Sequence, residues 1–213
     1  MVKQLILLIG PTIMIILGLV LIKNIAITFL LFYGWLLVVP ILVSYRRKTR
    51  TRLIFPQPKY SMTVGIISGI ICLIAIYSFA YLLQSIAIDQ EGLEVALVQW
   101  DFTGAKVIFL VLFLIFINPI LEEFYWRRFM YDRLLHRLGS KLTIIITAFF
   151  YALYHFVVVM PIFHIPVFAT LMVFLAGIMW GIFRSKFHTI VPTIVSHSIA
   201  DLGIMLVYLF III

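Results

Sequence analysis

The sequence predicts an all-α fold, a polytopic transmembrane bundle of about seven spanning helices. Three observations carry this. The chain is 65% hydrophobic and only 11% charged, with a mean hydropathy of +1.23, whereas a soluble domain has about 25% charged residues. Apolar runs of spanning length recur at 5–22, 25–45, 61–83, 105–121, 142–160, 164–183 and 189–213. The breaks between them are short and polar, which leaves no room for a soluble domain. The single Cys72 lies in an apolar run, so no disulfide framework exists.

Taken in order, each element has a chemical boundary. Met1-Val-Lys3-Gln opens a run ending near Ile22. It is longer than a signal-peptide core and no small-residue cleavage site follows, so it reads as a first spanning helix. Lys23-Asn24 ends it. Arg46-Arg47-Lys48-Thr-Arg50-Thr-Arg52, followed by Pro56 and Pro58, separates the second and third runs. Gln84 to Thr103 reads as an acidic loop with Asp89, Glu91, Glu94 and Asp101. The stretch from Lys106 to Leu138 has one break, Asn118-Pro119, where a bend is expected because proline removes a helical donor. Arg127 to Lys141 is basic. Pro161 and Pro166 bracket a tight turn, and Arg184-Ser-Lys186 marks the last break. The chain divides into residues 1–60, an N-terminal transmembrane hairpin with a basic cytoplasmic loop, and 61–213, a transmembrane core.

The basic residues set an orientation. With seven spans and a cytoplasmic N-terminus, 14 of the 16 Lys and Arg residues fall inside, and only Lys23 and Lys106 outside. The C-terminus then lies outside. In a chain this apolar, the formal charge of +8 points to orientation and contact with anionic lipid rather than to nucleic acid.

Charge inside the apolar runs is concentrated in one constellation. Glu122-Glu123-Phe-Tyr-Trp-Arg127 follows the run that ends at Leu121, and two later runs carry His155 and His197. Ionisable side chains in a bilayer cost roughly 2.5–3.5 kcal/mol each on insertion scales and mark functional interiors. Glu123 and Arg127 are four apart with the acid first, the favourable order for a helix pair. Glu122 lies about 100° round the helix from Glu123, so the two carboxylates face different neighbours. Tyr151 and His155 share a face, as do His197 and Asp201, each pair four residues apart. Each feature has a bland reading: an interfacial ion pair, a histidine hydrogen-bonded across helices, a local His–Asp pair. Their concurrence in one short chain weighs against three coincidences.

The combination Glu-Glu-x-x-x-Arg, aromatic-x-x-x-His and His-x-x-x-Asp in successive apolar runs resembles the CAAX prenyl protease type 2 group. The bacterial relatives of that group are the CPBP intramembrane proteases and Abi-like bacteriocin-immunity proteins. The resemblance covers roughly 105–205, and it implies an intramembrane endopeptidase. By that resemblance Glu122 is the water-activating base, Glu123 the neighbouring acid and Arg127 the charge that orients the pair. His155 shares the water, and His197 with Asp201 faces the oxyanion. Two positions depart from the pattern: Tyr151 stands where Phe is usual, and Asp201 where some members carry Asn. Asn can donate to an oxyanion and an ionised Asp cannot, so Asp201 either carries a proton or orients His197. The resemblance further implies peptide precursors, membrane proteins or CAAX-like C-termini as substrates, and a prokaryotic cytoplasmic membrane with the active-site opening on the cytoplasmic side.

The chemistry stands without the family. Peptide hydrolysis needs a deprotonated water and a donor for the developing oxyanion. A carboxylate in a low-dielectric site is a stronger base than in water. Two histidines supply a base-assisting nitrogen and a donor. Two histidines and a glutamate also form a catalytic zinc set, so a divalent metal such as zinc stays open beside the metal-free glutamate mechanism that the resemblance favours. No His-Glu-x-x-His is present, and Gly65-Ile-Ile-Ser68-Gly69 has one residue too many for the Gly-x-Ser-Gly of rhomboids. A non-catalytic membrane scaffold or bacteriocin-immunity protein, and a small proton-coupled transporter using Glu122, His155 and His197 as a relay, are the alternatives. The lack of two matching halves disfavours the transporter.

Overall fold

The computed structural model describes residues 2–46, 59–100, 104 and 106–212. The 47–52 part of the basic cluster, Pro56, Pro58 and Asp101 lie outside the described residues. Helix α1 is Val2–Ile15 and continues as a π-helical stretch to Ile22; α2 is Ile25–Arg46, α3 Ser61–Ala87, α4 Gln90–Gln99, α5 Lys106–Phe116 and α6 Asn118–Glu123. A π-helical stretch, Phe124–Met130, leads into α7, Tyr131–Val159. Then come α8, Pro166–Phe187, and α9, Val191–Val207, which ends in a π-helical turn, Tyr208–Ile212. The fold is all-α, as the apolar runs predict. Among the described residues no strand forms; Ile88 and Phe163 make one isolated bridge.

Six helical stretches are long and apolar enough to cross a membrane. One of them, Val107–Val159, has 53 residues. Straight, it would reach about 80 Å at 1.5 Å per residue, more than twice a hydrocarbon core of roughly 30 Å. It turns at Gly139, whose φ of 70° and ψ of 169° are non-helical and are essentially confined to glycine. The turn brings Ser140 Oγ to 3.1 Å from the Tyr131 hydroxyl and 2.8 Å from Ser185 Oγ. This stretch is long enough for two crossings, so the described residues hold enough apolar helix for seven.

Contacts at the helix ends sort the connections into two groups. Arg137 donates to Gln4 at 3.3 Å, Ser140 meets Ser185, and Gly65 of α3 packs on Pro192 of α9. At the opposite end the Asp89 N–H donates to Ile162 O, the His164 N–H to Ala87 O and the Ile25 N–H to Trp100 O. Among the described residues, the helix ends beside the basic stretches thus gather at one end of the bundle, with Gln4.

Two local readings change. The break expected at Asn118-Pro119 falls one residue earlier: α5 stops at Phe116, and Pro119 sits in the first turn of α6, where its missing N–H costs nothing. The acidic loop is largely helical. Helix α3 runs on to Ala87, and α4 starts at Asp89, whose carboxylate accepts from the Gly92 N–H at 2.9 Å. Leu93, Ala96 and Trp100 bury one side of that segment. Their three-and-four spacing is the signal that the charged residues mask.

The most extensive helix contact is α3 against α9, running parallel: Gly65 meets Pro192, Gly69 meets Ser196 and Ile199, and Leu73 meets Gly203. A Cβ on Gly65 would lie 2.8 Å from Pro192 O, and one on Gly69 2.8 Å from Ile199 Cβ. Gly65-x-x-x-Gly69 is therefore a close-approach face between membrane helices. It seats α9, the helix carrying His197 and Asp201.

Candidate active site

The polar interior of the bundle centres on His197. Its ring stacks on Trp180 at 4.2 Å between centroids and 17° between planes. Trp180 is held in turn by donating its Nε1–H to Ser196 Oγ at 3.0 Å. His197 Nδ1 lies 3.0 Å from Glu123 Oε1, and Nε2 lies 3.7 Å from Glu122 Oε2, 3.5 Å from Asp201 Oδ1 and 3.4 Å from the Tyr151 hydroxyl. The two neighbouring carboxylates thus face different nitrogens of one ring. A carboxylate oxygen accepts, so Nδ1 donates to Glu123 and Nε2 is the nitrogen turned toward Glu122 and Asp201.

Arg127 holds Glu123. Its Nη1 donates to Glu123 Oε1 at 3.0 Å and its Nη2 to Gly177 O of α8 at 3.1 Å. The guanidinium lies over the rings of Tyr151 and Trp180, 4.6 and 5.2 Å from their centroids, an electrostatically favourable placement for a cation in a desolvated site. Arg127 starts inside the π-helical stretch Phe124–Met130. Single π-helical turns inside helices often mark functional sites. From α8, Arg184 Nε donates to Arg127 O at 2.8 Å and its Nη2 to Asp132 at 2.7 Å, which fixes that stretch from outside. The sequence reading gave Arg127 both glutamates; its hydrogen bond goes to Glu123 alone.

Glu122 is 2% exposed, and its Oε2 has no hydrogen-bond partner among the described residues. Tyr154 lies beside it, its buried hydroxyl also without a partner that meets hydrogen-bond geometry. Unsatisfied buried polar atoms are rare in native proteins and call for an explanation. Two of those found among the described residues, Glu122 Oε2 and the Tyr154 hydroxyl, belong to neighbouring side chains, and Glu123 Oε2 is a third in the same polar group.

Residues 104–203 match the family described as Rce1-like, Type II CAAX prenyl endopeptidase Rce1-like. Over this stretch the chain is similar to that family. No curated protein and no solved structure matches the chain. The match spans just under half of the 213 residues and contains Glu122, Glu123, Arg127, His155, His197 and Asp201. The six long apolar helices make this an integral membrane protein, and the Rce1-like segment is similar to the CAAX-type protease group. Residues 1–60 lie outside it.

The Rce1-like segment does not bring its six polar residues together equally. Glu122, Glu123, Arg127, His197 and Asp201 form one connected group. His155 stands at its edge: its Nδ1 donates to the Tyr151 carbonyl at 2.9 Å, which leaves Nε2 as the acceptor nitrogen. Its ring packs on Tyr154 at 4.4 Å and Tyr151 at 4.5 Å, so it reaches the neighbourhood of Glu122 through Tyr154. Among the described residues no group of three or more His, Cys, Asp or Glu side chains is arranged to hold a metal ion.

Two participants escaped the sequence reading. Asn118, read only as a break, donates its Nδ2–H to Asp201 Oδ2 at 3.0 Å. Its signal was available: it precedes Glu122 by four residues and is the polar member of an apolar run. Trp180 gave no signal, because one tryptophan in an apolar helix looks like any other.

Proposed function

We propose that this protein is an intramembrane endopeptidase that hydrolyses a peptide bond with water activated by Glu122. The observation that carries this is Glu122 Oε2, a buried carboxylate oxygen with no hydrogen-bond partner, 3.7 Å from the His197 ring. A basic oxygen that no neighbouring donor engages in hydrogen-bond geometry can accept a proton from water.

The steps follow from the residues. Water gives a proton to Glu122, and its oxygen attacks the scissile carbonyl carbon. The carbonyl becomes an oxyanion, met by N–H or O–H donors that already line the group. His197 Nε2, 3.7 Å from Glu122, and the Tyr154 hydroxyl beside it are such donors. The intermediate collapses, the C–N bond breaks, and Glu122 passes its proton to the leaving amine. Arg127 and Glu123 hold His197 through Nδ1, and Asp201 orients Nε2 rather than donating to the oxyanion. His155, with Nε2 as an acceptor, assists the water from beside Tyr154. No step requires a metal.

The similarity to the Rce1-like family supports prenylated CAAX-like C-termini as the substrate class, with peptide precursors and membrane proteins as the wider set. The gathering of basic connections at one end supports a cytoplasmic placement of that end, facing anionic lipid, with the C-terminus outside. The test is cleavage of a farnesylated CAAX peptide by purified protein in liposomes. Wild type cleaves it, and Glu122→Gln is slower by about two to four orders of magnitude, the usual weight of a general base. Equal cleavage by Glu122→Gln would overturn the assignment. Failure of wild type to cleave any prenylated or unprenylated peptide would favour a scaffold or immunity role.

A further inference from the structure

We infer that Tyr33 and Asn118 are positioning residues for the site, so that the N-terminal hairpin, which lies outside the Rce1-like segment, completes it. The inference rests on the proposed role of His197 and extends it outward by two residues.

Three contacts build the chain. The Tyr33 hydroxyl of α2 lies 2.9 Å from Asn118 Oδ1. Asn118 Nδ2 lies 3.0 Å from Asp201 Oδ2. Asp201 Oδ1 lies 3.5 Å from His197 Nε2. Donor and acceptor roles are fully constrained. An ionised carboxylate accepts only, so the Asn118 amide must turn its NH₂ to Asp201. Its oxygen then faces Tyr33, and Tyr33 must donate. Asp201 excludes the flipped amide, which would set a carbonyl oxygen against its carboxylate, and the Tyr33 hydroxyl, able to donate or accept, meets the amide oxygen as donor. With one oxygen of Asp201 held by Asn118, the other is presented to His197.

Burial makes the arrangement consequential. Tyr33, Asn118 and Asp201 are all buried, at 9, 7 and 8% exposure, and a low dielectric strengthens satisfied networks and penalises broken ones. The Tyr33 ring is itself wedged among Phe29, Phe32 and Phe113, with centroids 4.8–5.1 Å away. The hydroxyl therefore has little freedom to leave Asn118. Asn118 sits at the start of α6, immediately after the break at Ile117. The same break that ends α5 thus aims the amide at α9.

A swap experiment reads this directly. Asn118→Asp sets two carboxylates face to face, and cleavage of the farnesylated peptide falls at least about tenfold, the weight of one charge-assisted hydrogen bond. The double variant Asn118→Asp with Asp201→Asn restores a donor–acceptor pair between positions 118 and 201. The carboxylate introduced at position 118 then accepts both from Tyr33 and from the amide introduced at position 201, so the double variant is faster than Asn118→Asp alone. Tyr33→Phe, which removes a single oxygen, lowers kcat several-fold with KM unchanged. In parallel, ¹⁵N NMR of His197 is read in detergent-solubilised wild type, Asn118→Asp and the double variant. The ring signals move in the single variant and return in the double, whether or not the peptide is a substrate. A double variant no better than Asn118→Asp, or His197 signals indifferent to Asn118, would overturn the inference. Absence of cleavage by wild type with His197 signals that follow the swap would sink the proteolytic reading and leave this one standing.

Discussion

Arg127 links Glu123 to the α8 backbone and lies over two aromatic rings, and its place cannot be taken by another cation. Lysine is a point charge without the planar fork. Arg127→Lys loses either the Glu123 or the Gly177 contact and lowers both cleavage and the thermal midpoint. Arg127→Ala leaves Glu123 buried without its partner, a change that costs roughly 3–5 kcal/mol in comparable buried pairs. Thermal unfolding of the purified variants in one detergent checks the order wild type, Lys, Ala. Trp180→Leu removes the surface on which His197 stacks and its bond to Ser196; it slows cleavage about tenfold or more, measured as kcat. At this scale the sequence was legible where chemistry is local. The Glu123–Arg127 pair follows from spacing within one helix. The approach of Asn118 to Asp201 joins residues 83 apart, and nothing in either neighbourhood announces the other.

The helices owe their placement to glycines as much as to apolar runs. Gly139 adopts a conformation that costs other residues about 1–3 kcal/mol, and nothing lies within 4 Å of where its Cβ would be. Gly139→Ala is thus a purely backbone perturbation. It lowers stability by about that amount without a steric clash, and a thermal shift comparable to that of Gly139→Val shows that backbone strain is the cause. Gly69→Leu acts by contact instead. It drives a side chain into Ile199 and Ser196, parts α3 from α9 and abolishes cleavage by displacing His197. Ile71→Ala, on a face 61% exposed and turned to lipid, leaves cleavage unchanged. The apolar runs gave the helices their extents to within a few residues, because length and hydropathy are properties of single segments. The Gly65-x-x-x-Gly69 seam was visible only as a failed rhomboid motif, since which helix a small-residue face meets is a property of the pair. Helix α4 was hidden because its charges outweigh its apolar stripe in a short window.

For the whole molecule, the two groups of helix connections define two sides, and the charge distribution assigns them. His136 belongs to the basic end and Glu91 to the other, and both are exposed. Single cysteines at these positions in a Cys72→Ser background are labelled by a membrane-impermeant maleimide from opposite sides of sealed vesicles, with His136→Cys reached from the cytoplasmic side. Labelling of both from one side would refute the topology. The N-terminal hairpin, set apart by the division at residue 60, packs into the core through Tyr33 and through Tyr125, whose hydroxyl accepts from Trp35 Nε1 at 3.0 Å and donates to Leu7 O.

The central claim is that Glu122 activates water and forms no bond to the substrate. A single turnover in H₂¹⁸O, with excess protein over a farnesylated CAAX peptide, tests it by mass spectrometry of both partners. The account predicts one ¹⁸O in the new C-terminal carboxylate of the first-turnover product and none in the fragment containing Glu122. An unlabelled first product, with the ¹⁸O found in Glu122, would contradict it.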